Sequence, residues 1–266
     1  MALLELKNAS KFFGGLAAVL DLNMEVHEGE ILGLIGPNGA GKTTTFSMIT
    51  GDYPPSKGDI FLEGKTIAGL RSHKIARLGV VRSFQLNTLF PHLSVQENVL
   101  LGLHLRSTIG FWEGLVNTKS NKRKEHGLNQ EAQKILAFMG LEAYLNEQAL
   151  NLPHGYQRAL GIAIALSSRP KILLLDEPLT GMNPKEVANM LEIIRKIRDD
   201  FGLTIVVVEH NMKAVMALCE RIVVISFGRK IAEGSSEEIQ TNNAVIEAYL
   251  GSENDVARNQ KLESSL

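Results

Sequence analysis

Four stretches of the chain are apolar without alternation and each ends in chemistry. "EILGLIGPNG" closes in a glycine loop, "LGVVRSFQ" in Gln85, "KILLLDEP" in Asp176 and Glu177, and "TIVVVEH" in Glu209 and His210. Unalternating runs of Leu, Ile and Val predict strands buried on both faces, as in a parallel sheet. Polar residues directly after such strands fall on the carboxyl edge, where open α/β sheets bind their ligands. The pattern therefore predicts an α/β chain with a site assembled from four strand ends.

Other periodicities fill in the remainder. "GKTTTFSMIT" reads as a helix closed by Gly51, a glycine suited to the left-handed turn after a helix. Asn183, Pro184 and Glu186 form a helix start of N-cap, N1 proline and N3 glutamate. Val187, Leu191, Ile194 and Ile197 then keep helical spacing up to Gly202. "GDIFLEGKTI" reads as a hairpin and residues 3–6 as a strand, which predicts a small antiparallel patch. From about 94 to 165 helical patterns dominate, so a helical lobe inserted into the sheet domain is expected. Residues 1–251 are read as a single domain, and the polar end 252–266 as a loosely ordered tail.

Composition narrows the class. With 44% hydrophobic and 21% charged residues, the chain reads as an ordinary globular protein. A net charge of −1 argues against general nucleic-acid binding. The single cysteine, Cys219, forms no internal disulfide, no Cys/His cluster has metal-site spacing, and a reducing compartment is expected. No apolar run approaches the ~20 residues needed to cross a bilayer, so a membrane role would have to come through partners.

The sharpest motif is "GPNGAGKTT", which satisfies G-x-x-x-x-G-K-[ST] between a predicted strand and a predicted helix. Gly36, Pro37, Asn38, Gly39, Ala40, Gly41, Lys42, Thr43 and Thr44 form this phosphate cradle. Its glycines let backbone N–H groups turn inward onto phosphate oxygens at a positive helix end. Lys42 is expected on the β- and γ-phosphates, and Thr43 on Mg²⁺. Asp176 is expected to hold the same metal, directly or through water. Glu177 beside it is a spare carboxylate able to accept the attacking water's proton. His210 shares that edge and could donate to developing charge. Gln85 carries an amide suited to holding water or Mg²⁺. ATP and Mg²⁺ are the expected ligands.

Over nearly its whole length the chain resembles the ATP-binding subunits of ABC transporters. The resemblance rests on Phe13, "GPNGAGKTT", Gln85, "LPHGYQ", "ILLLDEP" and His210, in that order. Within the family it is most similar to the ATPases of branched-chain amino acid importers, through "FGGLAAV", "GMNPKE", "VVVEHNMKAVM" and the ending "VIEAYLG". Importers of amides or urea share many of these features. The resemblance implies a P-loop NTPase (RecA-like) core and an aromatic role for Phe13 at the nucleotide. It also implies catalytic work for Glu177, His210, Gln85 and Lys42, with metal binding through Thr43, Gln85 and Asp176.

It further implies a dimer with an identical or paralogous ATPase subunit and integral membrane permease partners. An extracytoplasmic binding protein would act indirectly, and the chain would sit at the cytoplasmic face of a cell membrane. In this family a signature near LSGGQ starts a helix aimed at the γ-phosphate of the opposite subunit. Here Leu152 and Gly155 match it, Gly155 serving in trans, while Pro153, His154 and Tyr156 replace serine, glycine and glutamine. Asn183 stands where the family commonly has aspartate. Two other readings stay open: a soluble ABC-type ATPase in translation or repair, and a regulatory subunit with a dead site. The first usually brings fused cassettes or a coiled-coil insert. The second predicts loss of Lys42, Glu177 or His210, all of which are present.

Overall fold

Ten strands divide between two sheets in a computed structural model that describes residues 2–83, 89–106 and 119–249. Gln85 and the tail 252–266 lie outside the described residues. The strands are β1 (Ala2–Phe13), β2 (Leu16–His27), β3 (Ile31–Ile35), β4 (Lys57–Leu62), β5 (Lys65–Thr66), β6 (Val80–Ser83), β7 (Ile172–Asp176), β8 (Thr204–Val208), β9 (Arg221–Ser226) and β10 (Arg229–Gly234). Among the described residues the helices include α1 (Lys42–Ile49), α2 (Ser72–Arg77), α3 (Val95–Arg106), α4 (Lys119–Phe138), α5 (His154–Ser167), α6 (Pro184–Phe201), α7 (Met212–Leu218) and α8 (Ser236–Gln240). A further helix spans 243–249.

The larger sheet has the order β10-β9-β3-β8-β7-β6. The four strands expected from the apolar runs are present and parallel, with β8 between β3 and β7 and β6 at the edge. The sequence reading missed β9, which is also parallel to β3, and β10, which closes the sheet antiparallel to β9. Both faces of the sheet are covered, which explains the unbroken hydrophobicity. Ile35, Leu173, Leu175, Ile205 and Val207 point into one core cluster, shared with α3, α4, α5 and α6. Leu32, Leu34, Leu174, Val206 and Val208 point into another, shared with Phe46 of α1 and the smaller sheet.

That smaller sheet runs β2-β1-β4-β5, antiparallel throughout. The hairpin over 57–66 and its pairing with residues 3–6 match expectation. The long β1–β2 hairpin was not foreseen. Its second strand carries a period-2 signal, with Leu22, Met24 and Val26 buried and the residues between them exposed. The helical segments α3, α4 and α5 all fall between β6 and β7, and Val99, Leu103, Leu136, Leu160 and Ala163 pack them together.

Candidate functional site

The glycine loop after β3 is shaped by close approach rather than by glycine's flexibility alone. A Cβ on Gly36 would lie 2.0 Å from the Ile225 carbonyl oxygen, and one on Gly41 would lie 2.4 Å from that of Ala18. Both have positive φ, 156° and 105°. The loop is buttressed from outside: Gly228 N–H donates to the Ala40 carbonyl at 2.9 Å, and Leu20 N–H donates to that of Gly228 at 2.8 Å. Within the loop, Ala40 N–H donates to Pro37 and Thr45 N–H to Gly41. Asn38 and Gly39 form the exposed lip, Gly36, Ala40 and Lys42 are buried, and Thr43 is exposed at the first turn of α1.

Lys42 curls back into the loop, its Nζ donating to the carbonyls of Gly36 at 2.7 Å and Pro37 at 2.9 Å. Burial pushes its ammonium below the ordinary lysine range, opposed by the charges of Glu177 and Asp176.

Asp176 is the last residue of β7, registered against Val208 of β8, and is buried. Its Oδ2 accepts a hydrogen bond from Nη2 of Arg82 on β6. Glu177 follows in the left-handed region, with φ 48°. For a non-glycine residue that conformation is costly and persists where the surroundings impose it. Its N–H donates to the Val208 carbonyl at 2.8 Å, which pins the turn to the neighbouring strand. The Glu177 carboxyl then meets His210, whose Nε2 lies 2.6 Å from Oε1. Thr180 Oγ1 donates to Oε2 at 3.4 Å.

Glu209, between β8 and His210, is buried and braces both turns. Its Oε1 accepts from Leu179 N–H at 2.7 Å, and its Oε2 from His210 N–H at 3.1 Å. Burial pushes its carboxyl pKa up, against the pull of those backbone donors. The strand ends expected to converge do so: the cradle follows β3, Asp176 and Glu177 close β7, and His210 follows β8. Gln85 lies outside the described residues.

Phe13 ends β1 beside the hairpin turn, half exposed. It meets Tyr53 edge-to-face, with ring centroids 5.4 Å apart at 86°. Lys11 Nζ stands 5.3 Å from the Phe13 centroid and 5.4 Å from that of Tyr53. Tyr53 was missed in the sequence; its only signal is an aromatic two residues after Gly51.

Gly155 lies in the first turn of α5, whose N-cap is Pro153. Proline offers no side-chain acceptor there, so its side chain cannot satisfy the first amides of the helix. The three atoms nearest a Cβ on Gly155 all belong to Glu186, Oε1 at 3.3 Å. Glu186 also caps α6: its Oε2 accepts from Asn183 N–H at 2.8 Å, while Asn183 Oδ1 accepts from the N–H groups of Lys185 and Glu186. Gly155 is thus placed against the start of α6. The Tyr156 ring meets that of Tyr144 at a tilt of 44°, centroids 4.8 Å apart. Gln157 Nε2 donates to the Leu152 carbonyl at 2.9 Å, tying down the turn that precedes the helix.

A phosphate-cradling loop, a buried strand-end aspartate and an adjacent glutamate held by histidine define a P-loop ATPase site. The chain belongs to the ABC transporter family, whose description matches residues 19–180. A second family, the branched-chain amino acid ATP-binding cassette transporters, matches residues 229–255. The protein is accordingly an ATP-hydrolysing transporter subunit. It is 43% identical to the high-affinity branched-chain amino acid transport ATP-binding protein BraF of Pseudomonas aeruginosa, over 94% of this chain and 98% of that one. The ADP conformation of an ATP-binding cassette from an ABC transporter superposes with a TM-score of 0.82 at 27% identity, covering 94% of this chain and 99% of that one. A dimeric cassette in a post-hydrolysis state with ADP and phosphate gives 0.75 at 25% identity, covering 88% and 98%.

Proposed function

We propose that this subunit powers import of branched-chain amino acids, acting as a dimer beneath membrane permease subunits at the cytoplasmic face. The single observation that carries the hydrolytic part is the Glu177–His210 contact at the same strand edge as Lys42 and Asp176. The substrate class is supported by the likeness to BraF and by the family match over residues 229–255.

In this reading the loop 36–44 binds the triphosphate through its N–H groups, and Lys42 leaves its carbonyl partners for phosphate oxygens. Phe13 stacks on the base. Thr43 and Asp176 are oxygen donors of the kind Mg²⁺ takes. Among the described residues no group of three or more His, Cys, Asp or Glu could hold a metal alone. Mg²⁺ in phosphate sites needs no such cage, since one or two protein oxygens and the phosphates suffice. When bound, the metal neutralises charge developing on the phosphates.

Glu177 accepts the proton of the attacking water, and His210 holds that carboxylate in place while facing the γ-phosphate. Gln85 is assigned to the water and metal, and Gly155 to the nucleotide of the opposite subunit. Residues 1–251 form the working unit, with 94–165 as the lobe that meets the permeases. Among the described residues no helix is long and apolar enough to cross a membrane, so partners must supply the pathway.

The test is uptake of labelled leucine, isoleucine and valine in cells carrying Glu177→Gln on this chain. Loss of all three with amide and urea uptake intact supports the assignment. Loss of amide or urea uptake instead moves the protein to those importers.

A further inference from the structure

Arg82 is the one charged residue of β6, and its side chain is only 13% exposed. Its Nη2 bonds Asp176 Oδ2. Its Nη1 lies 3.4 Å from Ser47 Oγ on α1 and 3.8 Å from Oδ2 of Asp52. The guanidinium stands 5.8 Å from the centroid of Phe46. The Asp176 side chain is 3% exposed, and a carboxylate buried that deeply is costly without a cation. Arg82 supplies the cation. Yet Asp176 is also the carboxylate that the proposed site offers to Mg²⁺, and two cations contend for one acceptor. Arg82 has a second acceptor within ion-pair range: Asp52, whose side chain is 41% exposed and whose oxygens also accept from Thr50 Oγ1 at 2.8 Å and Ser72 Oγ at 3.0 Å.

We propose that Arg82 is an exchangeable counter-cation for Asp176, ceding the carboxylate to Mg²⁺ and transferring to Asp52. The inference rests on the reading of Asp176 as the metal's carboxylate. Without metal, the guanidinium shields incoming phosphates from a bare buried charge. With metal, it competes. Nucleotide binding and metal binding are thereby coupled through Arg82. Arg82 is a positioning residue in this scheme, and Asp52 its alternative seat.

The test is equilibrium binding of ADP to the full chain, by calorimetry, in excess Mg²⁺ and in EDTA, taking the ratio of the two affinities. Arg82→Met keeps the apolar stem and removes the charge. It should weaken binding in EDTA and raise the ratio about tenfold, a typical size for coupling between two ligands. Asp52→Asn removes the alternative seat, holds Arg82 on Asp176 and should lower the ratio below wild type. This surface change provides the decision if Arg82→Met does not fold by circular dichroism. Asp176→Asn should bring the ratio close to one. If it does so while Asp52→Asn and folded Arg82→Met leave the ratio at the wild-type value, the exchange is overturned and the metal assignment survives. If Asp176→Asn leaves the ratio unchanged, the metal assignment falls and the exchange with it.

Discussion

His210 Nε2 lies 2.6 Å from Glu177 Oε1, so the residue after β7 and the second residue after β8 are joined across the edge of the sheet. Each is set from behind. Glu177 is held in a left-handed turn by the Val208 carbonyl, and His210 by the buried carboxylate of Glu209.

Glu177→Gln should bind ATP normally and lower turnover by about 10²–10⁴-fold, the usual scale for losing a general base. His210→Ala should fall within the same range. The double variant should be little worse than either single, because the two residues act as a unit. Phosphate release and ATP binding, measured side by side, check this; near wild-type turnover in Glu177→Gln would remove it from the base role.

Phe13→Ala should weaken ATP binding by about 1–3 kcal/mol, the range for one base stacked on an aromatic ring. Tyr53→Ala should cost less, since Tyr53 meets Phe13 in an edge-to-face pair and is not itself assigned to the base. Neither change should alter the affinity for inorganic tripolyphosphate, which has no base. Equal losses for ATP and tripolyphosphate would place the defect in the fold.

Gly155→Asp should prevent ATP-dependent dimer formation, but the single variant is ambiguous. A Cβ at Gly155 already stands 3.3 Å from Glu186 Oε1, so a second carboxylate would also disturb the start of α6 within one subunit. Pairing it with Glu186→Gln removes that local repulsion. Gel filtration of the double variant with Mg²⁺ and ATP should show monomer with its own ATP affinity retained. A normal dimer would end the assignment of Gly155 to the opposite nucleotide.

Gly36→Ala should abolish nucleotide binding and destabilise the fold, since its Cβ would overlap the Ile225 backbone at 2.0 Å. Gly39→Ala is the matched control. It also has positive φ, 77°, but a Cβ there meets nothing within 4 Å. Its cost should be confined to the left-handed strain of about 1–2 kcal/mol. Thermal melts compare the two; equal losses would mean that conformation, not contact with β9, accounts for the Gly36 requirement.

Burial pushes the Cys219 thiol from 9.0 up to about 12. The folded value lies above the unfolded one, so the stability it lends is complete below pH ~9 and is lost as pH rises toward the folded value. Thiol reagents at pH 8 should label the native chain far more slowly than the denatured one. Matching rates would show that the packing of Cys219 against β3, where a Cβ on Gly33 would lie 3.1 Å from its Sγ, opens readily.

Much of the site was legible because its signals are local. The glycine spacing around Lys42, the apolar run into Asp176 and Glu177, and the Asn183–Glu186 cap are each written within a dozen residues. Period alone marked four of the parallel strands, β3, β6, β7 and β8, because a strand buried on both faces is apolar at nearly every position; β9, of the same kind, was not among them. Where one face is half exposed, as in β2, the weaker alternation escaped notice.

Arg82, Tyr53, Glu209 and Glu186 owe their roles to contacts that no spacing encodes. An arginine inside an apolar strand signals that a partner exists, but only the pairing of β6 with β7 brings it to Asp176. Glu186 is legible as a capping residue; that its other oxygen faces Gly155 follows from packing α5 against the start of α6. Strand ends and their chemistry can be read along the chain, since hydrophobic period and glycine geometry act over neighbouring residues. Which strand end meets which follows only from the fold, because the order β10-β9-β3-β8-β7-β6 joins strands far apart in the chain and buries both faces of the sheet.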